Sequence, residues 1–140
     1  MKTLKQVIFT IVLVSLTLAC SSDDDNGGTQ TVEQMLMSGK WYLEKDAGEE
    51  VNPCEKRTFY HFYDDNKFTK ALYQKSSDGT DCYLQDMLYG TFILISDQFI
   101  KVDLTDSNFE NNYEIVSISP DQLVIIGYYG STLIFDKTEG

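Results

Sequence analysis

Apolar and polar positions divide this chain into four stretches. Residues 1–19 place Lys2 and Lys5 ahead of an apolar run over 7–14 that is broken only by Thr10. The run is too short to span a membrane, and its basic front and small-residue exit (Leu18-Ala19) read as a secretion signal. Residues 20–30 are polar, acidic and glycine-bearing, with nothing to bury, and read as a flexible tether. Residues 31–38 carry a helix signature. Thr31 with Gln34 three later forms a capping-box pattern, and Val32, Met35 and Leu36 share one face. Gly39 ends this short helix.

Beyond Gly39 the period changes to two. Strands are predicted over 40–44, 57–63, 68–74, 88–95, 98–104, 112–118, 123–128 and 131–137. Ile100, Val102 and Leu104 alternate with Lys101 and Asp103. Leu133 and Phe135 alternate with Ile134 and Asp136. Asp64-Asp65-Asn66-Lys67, Ser96-Asp97 and Ser119-Pro120-Asp121 supply turns. About eight short strands at a spacing of roughly 8–12 residues, with no long helix between them, favour an antiparallel meander. A meander of eight strands can close into a barrel. A weak echo, Gly39-Lys40-Trp41 against Gly90-Thr91-Phe92, fits such a built-up meander. The expected fold is therefore all-β, a small up-and-down barrel with one short N-terminal helix.

Charge narrows the partners. The chain has 11 basic and 22 acidic residues in 140. Removing residues 1–19, which hold two lysines and no acid, leaves 121 residues and takes the net charge from −11 to −13. That length suits one domain, 31–140. Such acidity repels phosphate backbones, so nucleic acid is an improbable partner. It mainly supports solubility, and a basic partner or cation is the other use for it.

Leu16-Thr17-Leu18-Ala19-Cys20 resembles a bacterial lipobox. It departs from the usual pattern in placing Thr17 three before the cysteine, with the aliphatic residue one place earlier. Ala19 is the small residue that cleavage needs. Ser21-Ser22-Asp23-Asp24-Asp25 looks like the export tag of surface lipoproteins in some two-membrane bacteria. The resemblance implies a lipidated Cys20 that holds the protein at the bacterial outer membrane, exposed at the cell surface. Two or more acyl chains give firm anchoring. Cys54 and Cys82 remain. In an exported protein they most simply pair as a disulfide. A two-thiol metal site is the alternative, and it is short of ligands because His61 is the only histidine.

Within 31–137 the chain resembles the small lipocalin-like domains of bacterial lipoproteins. The resemblance rests on a helix ending in Gly39-Lys40-Trp41, on Asn52-Pro53-Cys54-Glu55-Lys56, on Phe62-Tyr63-Asp64-Asp65-Asn66-Lys67-Phe68, and on Gly90-Thr91-Phe92. It implies that Trp41 plugs the closed end of the barrel and that a cation from the last strand stacks on it. Lys137 is the candidate, where the family usually has arginine. Lysine is the poorer stacker, being a compact, strongly hydrated charge.

Catalytic chemistry has no clear bearer. His61 sits between aromatics in a strand, and no serine lies in a glycine-framed turn. No phosphate loop or dinucleotide fingerprint occurs, so no cofactor is expected. Asp103, Asp106, Asn108 and Glu110 carry oxygens that suit calcium, but their spacing is not that of an EF-hand, and a solvated loop is the simpler reading. Aromatics carry the functional hint. Tyr60, Phe62, Phe68 and Tyr73 are expected to wall the open end and hold a small apolar molecule. They would equally pack a solid core, and the acidic surface leaves a protein-interaction role, inhibitor or immunity-type, as the alternative.

Overall fold

The computed structural model describes residues 29–105, 110–127 and 129–140. The expected signal over 1–19, Cys20, most of the tether, and Asp106 and Asn108 lie outside the described residues. No helix among the described residues is long and apolar enough to cross a membrane.

The chain opens on helix α1 (Val32–Leu36), capped as its sequence requires: Thr31 accepts from the Gln34 amide, and the Gln34 side chain accepts from the Thr31 amide. Among the described residues nine strands follow: β1 (Lys40–Asp46), β2 (Glu49–Glu50), β3 (Phe59–Phe62), β4 (Lys67–Lys75), β5 (Cys82–Ser96), β6 (Phe99–Leu104), β7 (Glu110–Ile118), β8 (Gln122–Ile126) and β9 (Thr132–Asp136). A 3-10 turn, Glu55–Arg57, precedes β3.

All pairings are antiparallel and run in chain order from β3 to β9, with β1 beside β3. β1 also pairs β9, Tyr42 opposite Asp136 and Leu43 opposite Phe135, which closes the sheet. The result is a ring of eight strands, with β2 as a two-residue arm folded onto the end of β1 through Ala47-Gly48. Both turn residues have positive φ, the backbone that suits a tight hairpin. Register shifts in β1, β4–β5, β5–β6 and β7–β8 bend the strands as closure demands.

Period-two alternation then fills the interior. Trp41, Phe62, Phe68, Phe92, Ile100, Leu123, Ile125 and Phe135 point inward and are fully or almost fully buried. The two glycine–any–aromatic sequences send both aromatics into this core, but the glycines differ. Gly39 has φ +129° and turns the chain from α1 into β1. Gly90 is extended and is needed for space: a Cβ there would stand 2.2 Å from the Asp103 carbonyl oxygen of β6. β5 also reaches six residues further toward the N-terminus than the sequence reading placed it, because residues 82–87 pair with the overhanging end of β4.

Candidate functional site

The two ends of the barrel differ. At one end α1 lies across the opening. Leu36 is fully buried, and its carbonyl accepts from Trp41 Nε1 at 2.9 Å. The Lys137 Nζ sits 3.3 Å from the centre of the Trp41 ring. That nitrogen is buried and has no hydrogen-bond partner among the described residues. Phe62 packs on Phe68 (5.0 Å between ring centres) and on Phe92 (5.1 Å) just inside this plug. This end is shut.

Burial pulls the Lys137 amine down to about 8, and Asp121 opposes part of the shift. Because Trp41 is the one tryptophan, its emission reports this amine directly. A step in Trp41 fluorescence is expected near pH 8 and should be absent in Lys137→Met. The stability sign follows from the same values. The folded amine gives up its proton below the ordinary lysine value of 10.5, so between about 8 and 10.5 the unfolded chain binds more protons. Wild-type stability measured against Lys137→Met should therefore rise across that window. A flat emission profile would remove the buried amine from the plug.

The other end is open. A cavity of about 240 Å³ enters the barrel there, walled by Leu43, Tyr60, Lys70, Leu72, Tyr113 and Leu133. Tyr60 and Tyr113 are almost fully buried, their rings edge-on at 5.8 Å, and their hydroxyls hydrogen-bond to each other. Burial pushes the Tyr60 phenol up to about 12, with the Tyr113 hydrogen bond opposing and Asp46 adding to the rise. Burial likewise raises Tyr113. Both phenols keep their protons at neutral pH and offer O–H groups beside the apolar wall of Leu43, Leu72 and Leu133. Lys70 pairs opposite Tyr60 across β3–β4, so the two share the inner face, and its Nζ lies 5.0 Å from the Tyr60 ring centre.

The residues expected to wall a ligand divide accordingly. Tyr60 lines the cavity. Phe62 and Phe68 belong to the packed layer above the plug. Tyr73 lies on the outer face, where Arg57 stacks on its ring at 4.7 Å. Tyr113 and Lys70 do line the cavity and were missed as ligand-site residues. Their signal was parity: Lys70 is two residues from Phe68 and so shares its face.

Cys54 and Cys82 form a disulfide, Cα to Cα 5.4 Å, at the open end. Asn52 Oδ1 accepts from the Cys54 and Glu55 amides and holds the 3-10 turn that carries Cys54. The bond ties this turn to the start of β5 and to the overhanging β4–β5 hairpin. His61 is on the outer face, 3.8 Å from the Tyr63 ring. Burial, then Lys40 and Lys137, lower its pKa. Among the described residues no three His, Cys, Asp or Glu side chains gather as a metal site.

Comparison with known proteins agrees with this architecture. The family model of the lipocalin-like domain matches residues 37–125. A lipocalin-like protein from Bacteroides uniformis superposes with a TM-score of 0.52 at 21% identity, covering 74% of this chain and 99% of its own. A protein from Bacteroides eggerthii gives 0.50 at 17% identity, covering 71% and 98%. Both likenesses are of fold. No curated protein matches the chain.

Proposed function

Because the chain belongs to the lipocalin-like domain family, we propose that it is a non-enzymatic binding protein that holds a small, largely apolar molecule in the open end of its barrel and is tethered to the bacterial envelope by a lipid on Cys20. The observation that carries the binding half is the cavity of about 240 Å³ set against a sealed opposite end. An engineered cavity of about 150 Å³ takes up benzene, so this one has room for a ligand of somewhat over that size. Leucines supply its apolar wall, and two phenols fix orientation. The envelope half rests on the sequence around Cys20, with outer-membrane surface display read from Ser21-Ser22-Asp23-Asp24-Asp25.

Titration of the protein with a small neutral fluorescent probe, 1-aminonaphthalene, whose size matches the cavity, should give saturable one-to-one binding. Leu133→Trp, which fills the cavity, should abolish it. Absence of saturation in the wild type would end the binding reading. Cys20→Ser should move the protein from the membrane fraction to the soluble fraction, and unchanged fractionation would end the anchoring reading.

A protein-interaction role has one observation in its favour. Ile93, Ile95, Phe99 and Val116, on the outside of β5–β7, are 46–64% exposed. A stoichiometric partner lost on Phe99→Ser, with no probe binding, would shift the assignment to it.

A further inference from the structure

We infer that the cavity selects ligands with a negatively charged headgroup, and that Lys70 is the residue that fixes the charge. This rests on the ligand-binding reading of the cavity and names the class of molecule that fills it.

Lys70 stands on the inner face of β4, between Phe68 and Leu72, where a strand of a filled barrel would carry an apolar residue. It is half-buried and makes no ion pair among the described residues. Its amine instead lies against the Tyr60 ring. A cation on the inner wall of an acidic protein, with no carboxylate paired to it among the described residues, favours an anionic group in the cavity. The phenols add to it. They share one hydrogen bond, and whichever accepts it keeps its own O–H proton to offer. Ammonium and phenol together match a carboxylate, which accepts several hydrogen bonds and gains most from a charged donor.

Among the described residues Asp46 is the one carboxylate on the cavity wall, and it would repel such a headgroup. It is exposed, so water screens it, whereas Lys70 is shielded by the barrel wall. The apolar body of the ligand would lie along Leu43, Leu72 and Leu133. The volume suits a body of about ten heavy atoms, judged against the benzene-sized cavity of about 150 Å³. The class is therefore a short amphipathic acid, such as a medium-chain or arylalkyl carboxylate.

Matched pairs test this by calorimetry on the whole protein: octanoate against octanol, and 3-phenylpropanoate against 3-phenylpropanol. Each acid should bind about tenfold or more tightly than its alcohol, as a charge-assisted contact implies. Lys70→Met should erase that preference, bringing the affinities for acid and alcohol within about twofold of each other, while Lys70→Arg should keep it. Asp46→Asn should tighten the acids by a few-fold. Trp41 emission checks that each variant is folded. Equal affinity for acid and alcohol in the wild type, or a preference that survives in Lys70→Met, overturns the inference and leaves the cavity reading standing. Binding of neither overturns both.

Discussion

Trp41→Ala is expected to cost about 3–5 kcal/mol, the range for deleting a large buried aromatic. Three separate losses converge at this position. The indole is fully buried, so a cavity opens where α1 meets the core. The Leu36 carbonyl loses its donor, and an unsatisfied buried acceptor costs about 1–3 kcal/mol. The Lys137 ammonium loses the ring face that favours its charged form. A domain of this size is stable by only about 5–15 kcal/mol, so a large part of the margin goes with one side chain. Urea unfolding followed by far-UV circular dichroism measures the change. Trp41→Phe separates the contributions, because it keeps an aromatic face for Lys137 and removes only the indole donor and part of the volume. It should fall well below the alanine variant. A loss under about 1 kcal/mol for Trp41→Ala would mean that the plug is not what holds this end shut.

Reduction of Cys54–Cys82, or the double alanine variant, comes second. The two cysteines are 28 residues apart. Chain-entropy arithmetic gives about 3–4 kcal/mol for a loop of that length. For a domain of this size that corresponds to a fall in Tm of about 12–20 °C. Calorimetry with and without reductant reads it directly. A shift of under about 3 °C would show that the unfolded chain gains little freedom from cutting the bond. The disulfide is at the open end and Trp41 at the sealed one, so the two losses should add in a combined variant. Reduction should also loosen the β4–β5 hairpin, and with it the Thr58 side of the cavity wall, where Thr58 Oγ1 accepts from the Tyr73 amide at 3.0 Å.

Much of the fold was legible in the chain because a barrel wall has one wet face and one dry face. Wherever that holds, as at Ile100, Val102 and Leu123, Ile125, alternation gave the strand and its inward side. It fails where both faces are wet. Tyr83 and Leu84 at the start of β5 are 47% and 43% exposed, and Gln85 and Asp86 are exposed beside them, so no dry face marks the strand. Glu49–Glu50 of β2 is exposed on both sides for the same reason.

The site was less legible. Parity alone sets Phe68 and Tyr73 on opposite faces, being five residues apart, and an aromatic count hides this. Depth is the harder quantity. Tyr60 and Phe62 share the inner face, yet one lines the cavity and the other packs above the plug. That difference depends on which strand ends the helix covers, and no local pattern carries it. Lys70 was hidden by a prior: lysines are expected to face water.

The β1–β9 ladder joins segments about ninety residues apart, the kind of distant pairing that slows folding. Until residues 132–137 have emerged, the edge of β1 that β9 covers stays unpaired, and the indole at position 41 lacks the ammonium that covers it. A chain threaded across a membrane as it is released would thus stay open through nearly its whole passage, and would lock only when its final strand arrived on the far side.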